Sequence, residues 1–186
     1  MSQDIINRIL RDKSSLTSYK SLLDINVEVK KELIKHIVRK IKTRFEERGF
    51  LEIRTINLDN DKGLLISFQT TALAENNLRL GLNFESSDFR NLIIGFQNIS
   101  VSQPKDLHLL QLFTIEFPEA KHSLSWPSYI VYYKYRDWIF SILTDIYFDT
   151  NNAFYKDLES KVDRMLAVLE SKSELSLVSA DLTNIL

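Results

Sequence analysis

Two runs of alternating residues at positions 78–100, LRLGLNFESSDFRNLIIGFQNIS, constrain the fold of this chain more than any other feature. Every second residue of the first run is apolar: Leu78, Leu80, Leu82 and Phe84. Successive side chains of a strand point to opposite faces, so this period of two predicts a half-buried strand. The segment 86–88 interrupts the pattern, and the second run resumes it with Leu92, Ile94 and Phe96. We therefore expect two paired strands at the centre of a sheet.

Amphipathic helices flank this region on both sides. The spacing of apolar residues in 27–48 predicts a helix, and Gly49 is expected to end it. Its apolar residues recur every three or four positions: Ile34, Ile37, Val38, Ile41 and Phe45. The same spacing predicts a helix over 151–172, with Thr150 or Asp149 as its N-cap. The apolar residues of its buried face are Phe154, Leu158, Val162, Met165, Leu166 and Leu169.

The remaining segments complete an α+β fold. Strands are expected at 51–58 and 64–71, joined by a Gly-containing hairpin loop at 59–63, and a short helix is expected near Asp106. The segment 129–136 reads either as a fifth strand or as the start of an aromatic helix. The expected architecture is an antiparallel sheet of four or five strands, packed on one face by the two long helices.

We expect a single α+β domain over residues 1–186, since a chain of 186 residues is long enough for one substantial core. Within 1–20 the sequence predicts a short helix around Ile5, Ile6, Ile9 and Leu10, followed by a polar break from Ser14 to Ser21. The Ser-rich segment 173–186 keeps several apolar residues, and we interpret it as a tail that docks on a partner or on the body.

Composition excludes several classes of function. The chain has no cysteine, so disulfides, zinc–thiolate sites and cysteine nucleophiles are ruled out. A net charge of −1 argues against a general nucleic-acid coat or a polybasic membrane binder. No apolar run reaches membrane length and the N-terminus lacks a signal-peptide core, so we expect a cytoplasmic protein with no membrane contact. We also expect no cofactor.

Candidate catalytic groups are few. No histidine has a partner at metal-ligand spacing, and we expect structural or solvent-exposed roles for His36, His108 and His122. Glu119 and Lys121 have the spacing of the E-x-K half of a magnesium-dependent nuclease site, with Asp106 and Glu116 upstream. A degenerate nuclease using Glu116, Glu119 and Lys121 is therefore one alternative, although no metal site is predicted.

An aromatic segment supplies the first candidate binding surface. Both tryptophans and five of the seven tyrosines lie between positions 126 and 148. Such side chains suit interfaces, and neighbouring cations add cation–π or phosphate contacts. The predicted binding residues are Trp126, Tyr132, Lys134 and Arg136. In the competing interpretation these aromatic residues form the core, with only some left facing outward.

A basic stripe along the first long helix supplies the second candidate surface. Its residues are about four positions apart: Lys31, Lys35, Arg39 and Lys42. The functional interpretation is contact with a nucleic-acid backbone. The alternative is a solvated helix face whose charge is offset by Glu28, Glu32, Glu46 and Glu47.

The order of these elements resembles a known family. A long basic helix ends in Glu46-Glu47-Arg48-Gly49-Phe50, and LRLGLNFE, LIIGFQNI, a Trp-containing aromatic segment and a closing helix follow. This order, over about 27–172, resembles the C-terminal, non-catalytic half of some bacterial PD-(D/E)XK nuclease superfamily proteins. The nuclease core is missing here, so no catalytic residue carries over. The resemblance implies a partner-binding, regulatory or substrate-sensing module linked to bacterial defence or mobile elements.

The sequence therefore predicts a non-enzymatic module that binds another protein. The predicted surface combines the uncovered sheet face with the aromatic segment 126–138. Nucleic-acid binding through the 30–44 helix is the alternative, and a homodimer formed by exchange of the 173–186 tail is a further expectation.

Overall fold

A computed structural model of the chain describes residues 4, 8, 10–55, 62–100 and 106–183, with the backbone alone at 16, 20–25, 52 and 173–183. The helices are α1 (Lys13–Glu47), α2 (Thr71–Glu75), α3 (Leu107–Glu116), α4 (Phe140–Phe148) and α5 (Ala153–Thr183). The strands are β1 (Glu52–Thr55), β2 (Gly63–Gln69), β3 (Leu78–Ser86), β4 (Arg90–Asn98) and β5 (Ser128–Val131).

The five strands form one antiparallel sheet in the order β1-β2-β3-β4-β5. The register pairs Leu80 with Phe96 and Leu82 with Ile94, so the two alternating runs share one apolar face. This confirms the α+β fold class with two long helices. The ambiguous segment 129–136 divides: β5 ends at Val131, a short 3-10 turn covers Tyr133–Tyr135, and α4 begins only at Phe140.

Helix α1 begins earlier than the sequence suggested. Asp12 caps it by accepting a 2.8 Å hydrogen bond from the Ser15 amide, and the helix continues through the expected polar break at 14–21. Within this stretch the Thr17 hydroxyl donates to the Lys13 carbonyl at 2.8 Å. A hydroxyl that bonds one turn back is satisfied inside the helix, so its polarity does not end the helix. The short helix expected around Ile5, Ile6 and Ile9 lies outside the described residues.

Helix α1 ends where predicted. Gly49 has a φ of +80°, and the Phe50 amide donates to the Phe45 carbonyl at 3.2 Å. This is the left-handed cap for which glycine is favoured.

The start of α5 differs from the prediction. The helix begins at Ala153, and the Asn152 carbonyl accepts from the Lys156 amide at 3.0 Å, so Asn152 rather than Thr150 or Asp149 holds the N-cap position. The Asp149 carboxylate accepts from the Ala153 amide at 2.5 Å from three residues further back.

Helix α5 also runs further than expected. Its backbone is helical to Thr183, so most of the 173–186 segment continues the helix rather than forming a separate tail. No glycine or proline interrupts residues 153–183. Contacts between 40 and 152 and between 44 and 159 show that α1 and α5 run parallel.

The core lies between the helices and one sheet face. The predicted core residues are all buried there: Ile34, Ile37, Ile41, Leu158, Val162, Met165 and the alternating residues of β3 and β4. None of the described helices contributes to the small second cluster on the opposite face of β3 and β4, which Trp126 from the loop before β5 forms with Ile93 and Val131. Among the described helices, none combines the length and apolar character that a membrane span requires.

Candidate functional site

The structure buries two of the predicted binding residues. Tyr132 is 1% exposed and packs with the main core. Its hydroxyl donates to Asp157 of α5 at 2.6 Å. Burial, followed by this hydrogen bond, raises the pKa of Tyr132 well above its ordinary value. The side chain joins β5 to α5 and is out of reach of a partner.

Trp126 is 8% exposed and lies on the sheet face that the helices leave open. Its indole covers Gly81 of β3 and meets Tyr129 at a centroid distance of 6.2 Å. It therefore closes much of the apolar centre of a sheet face that the sequence predicted to be uncovered. Lys134 and Arg136 remain exposed, but they follow β5 in the 3-10 turn region rather than on the open sheet face.

The outward aromatic residues lie further along the same segment, on α4. They occupy positions i, i+7 and i+8 of one helix stripe: Phe140, Tyr147 and Phe148. Phe148 is 72% exposed and Phe140 is 44% exposed. A neighbouring stripe of α4 buries Leu143 and Ile146. A helix that is apolar on both stripes is usually covered on both, and here only one is covered by the described residues.

A shallow groove runs along α1 beside α4. It has a volume of about 380 Å³, and its lining includes Val29, Leu33 and His36 of α1 and Tyr147 of α4. The rings of His36 and Tyr147 meet at 4.7 Å, and Phe148 packs edge-on against Tyr147 at 4.9 Å. We call the outward aromatic residues of α4 together with this groove the α4 surface.

The sequence analysis named the aromatic residues of α4 within the 126–148 segment but predicted other members of it as the binding residues. The usable signal was the nine-residue run Phe140–Phe148, in which six residues are apolar or aromatic. Period alone does not distinguish the stripe that meets the core from the stripe that meets solvent.

The basic stripe of α1 is paired with acids of the same helix. Lys31 meets Glu28 at 3.4 Å and Lys42 meets Glu46 at 3.6 Å. Lys35 donates to Glu32 at 2.7 Å, and this hydrogen bond lowers the pKa of Glu32. Arg39 lies beside the groove instead. These pairs match the solvated-face interpretation, because each offsets a charge that a nucleic-acid backbone would need.

Two of the carboxylates near the E-x-K tripeptide, Glu116 and Asp106, are engaged elsewhere. Glu116 accepts from Arg164 at 2.5 Å. Asp106 caps α3 and pairs with Lys172 at 2.6 Å. Burial raises the pKa of Asp106, but hydrogen bonds from the Leu109 amide and Lys172 outweigh burial and leave the pKa below its ordinary value. Across the described ranges no three His, Asp or Glu side chains form a group that could hold a metal ion.

Comparison with protein-family models, with curated proteins and with solved structures gives no match for this chain.

Proposed function

We propose that this chain is a non-enzymatic binding module that acts through protein–protein contact at the α4 surface. The observation that carries the proposal is the second apolar stripe of α4, exposed beside the groove. Aromatic residues concentrated on a surface are typical of protein interfaces, where they bury large area at low entropic cost. The proposal stays within the aromatic residues of positions 126–148 but lies beyond the predicted 126–138 surface, since its contact residues are Phe140, Tyr147 and Phe148.

The shape of the groove supports a helical segment of the partner as the occupant. The groove runs along α1 beside the packed helix α4: six of its lining residues belong to α1, and Tyr147 belongs to α4. A partner helix that inserts apolar residues at i, i+3 and i+7 fits such a groove. Glu28, Glu32 and Arg39 also line it, and charged residues of this kind are common at the edge of ordinary interfaces.

The resemblance to accessory halves of PD-(D/E)XK superfamily proteins supports the same class of function. The link to bacterial defence or mobile elements is part of the proposal and derives from that resemblance alone. The engagement of Glu116 and Asp106 in ion pairs supports the non-enzymatic part.

The test compares Phe148→Asp with Leu124→Asp. Both side chains are exposed large apolar residues, so neither change should move the free energy of unfolding by more than about 0.5 kcal/mol. The wild type and both variants each carry a photo-crosslinking residue at position 147, and all three proteins are purified from the native host. We expect one protein to crosslink to the wild type and to Leu124→Asp but not to Phe148→Asp.

Two results would contradict the proposal. Equal crosslinking by all three proteins would place the contact elsewhere. Light scattering that shows a dimer of this chain, dissociated by Phe148→Asp, would show that the α4 surface is an interface between copies and not a site for another protein.

A further inference from the structure

The open face of the sheet has a polar end that the α4 surface does not include. The register places Arg54 of β1 beside Ser67 of β2, and Ser67 beside Gly81 of β3. On the same face, two residues before Gly81, Arg79 of β3 lies beside Gln97 of β4. Along each strand these residues alternate with residues of the main core, and their side chains therefore point away from the helices.

A cavity of about 300 Å³ lies at this end of the open face. It is lined by the short, buried side chain of Ser67 together with Arg54, Phe68, Gln69, Ala74, Arg79 and Ile99. Two guanidinium groups, a hydroxyl and a carboxamide thus line this space, and no carboxylate of the described residues lines it.

Arg79 is unusual among the half-buried cations of the described residues. Lys30, Arg44, Lys161 and Lys172 each form a salt bridge with a carboxylate. Arg79 instead donates from Nε to the Gln97 carboxamide oxygen at 2.8 Å. Lys40 also meets an amide, that of Asn152, but it lies over the Tyr155 ring as well. A half-buried charge with a neutral partner is a charge that a complementary ligand would stabilise.

We infer that this cavity binds an oxyanion group, a carboxylate or a phosphate, on a molecule small enough for about 300 Å³. The hydrogen bond to Gln97 fixes the plane of the Arg79 guanidinium, and its terminal nitrogens form the edge that binds two oxygens side by side. Ser67 and Gln69 supply neutral hydrogen-bonding groups, and Ala74 and Ile99 supply an apolar wall for the body of the ligand. This site lies outside the α4 surface, so a negative result at one of the two sites leaves the proposal for the other unchanged.

The test uses inorganic phosphate, phenyl phosphate and benzoate as probes, in buffer free of other oxyanions and at low ionic strength. Amide chemical shifts of the full chain are followed by NMR. We expect saturable shifts at residues 67, 69, 79 and 97 at about millimolar probe. Arg79→Gln should weaken binding about tenfold or more, and Arg79→Lys should weaken it less, because charge remains but the two-point contact is lost. Arg90→Gln, an exposed arginine on β4, should bind as the wild type does.

The three probes distinguish the source of the oxyanion. Tighter binding of phenyl phosphate than of benzoate identifies a phosphate ligand, and the reverse order identifies an organic acid. The inference is overturned if no probe saturates below about 10 mM, or if Arg90→Gln weakens binding as much as Arg79→Gln does. If Arg79→Gln fails to fold, Arg79→Lys and Gln97→Leu are measured in its place. The inference is then overturned if both of these variants bind the probes with wild-type affinity.

Discussion

The indole of Trp126 lies over Gly81, where a Cβ atom would approach the ring to 3.1 Å. Gly81 is paired with Gly95 across β3 and β4. Gly95 in turn faces β5 so closely that a Cβ there would lie 2.3 Å from the Ser128 carbonyl oxygen. The two glycines therefore do different work: one makes room for the indole that covers the open face, and the other lets β5 join the sheet.

Alanine at these two positions should destabilise the protein to different degrees. Gly95→Ala forces backbone apart and should cost about 3 kcal/mol or more of the free energy of unfolding. Gly81→Ala meets only side chains, Leu64 and Trp126, which can shift, and should cost about 1 kcal/mol at most. Urea denaturation of both variants measures the difference, and equal costs would contradict the assignment.

Two buried tyrosines should respond in opposite ways to loss of the hydroxyl. Tyr132→Phe removes the 2.6 Å hydrogen bond to Asp157 and should cost about 1 to 3 kcal/mol, because the carboxylate loses a partner. The buried Tyr155 hydroxyl has no hydrogen-bond partner among the described residues, so Tyr155→Phe should be neutral or stabilising. Thermal and urea unfolding of the matched pair test this, and a loss of stability in Tyr155→Phe alone would refute it.

The same tyrosines should make stability fall in alkali. Tyrosine in an unfolded chain has a pKa near 10. Burial raises the pKa of Tyr155 to about 12, and burial together with Asp157 raises that of Tyr132. A raised folded-state pKa gives stability that is complete below about pH 10 and is lost as the pH rises through the folded-state value.

The unfolding free energy should therefore decrease between about pH 10 and pH 12, by about 1.4 kcal/mol per pH unit for each tyrosine. Tyr132→Phe and Tyr155→Phe should each remove one share of this slope. Urea unfolding across the range measures it, and a slope unchanged in both variants would show that other groups cause the loss.

Two arginine–carboxylate pairs join α1 to α5, and they should differ in strength. Arg44 and Glu159 meet at 2.6 Å with side chains 29% and 19% exposed. Glu159→Gln should cost about 1.5 to 3 kcal/mol, since a charged hydrogen bond is lost in a half-buried place. Asp163→Asn at the more exposed pair with Arg48 should cost less than about 1 kcal/mol. Urea unfolding at low and high salt gives both values, and a larger loss at Asp163 would reverse the ranking.

The pairing of the α1 lysines leads us to expect no specific contact with nucleic acid. A helix that bound several phosphates would show affinity falling with salt, by a logarithmic slope of about 0.9 for each phosphate. We expect filter binding with duplex DNA to show no such dependence for the wild type. A steep slope that disappears on charge reversal at Lys35, Arg39 and Lys42 would instead favour the nucleic-acid alternative.

Local pattern predicted most of the fold. The period of two identified the buried faces of β3 and β4, and the three-to-four spacing identified the inner stripes of α1 and α5. The cap at Gly49 is also readable from the sequence, because its left-handed conformation favours glycine. Local pattern does not predict the two helix extensions, because Ser-rich composition is typical of a break, although serine and threonine can bond within a helix.

The candidate surfaces depended on contacts that no local pattern encodes. The sequence by itself determined which positions of each strand and helix share a face, because chain geometry repeats every two or 3.6 residues. Only the tertiary structure decided which aromatic faces were covered, placing Trp126 and Tyr132 inside and Phe140 and Phe148 outside. It also left Arg79 beside an amide, while Lys30, Arg44, Lys161 and Lys172 met carboxylates. Burial and pairing depend on which distant element packs against a residue, and that is a property of the assembled fold.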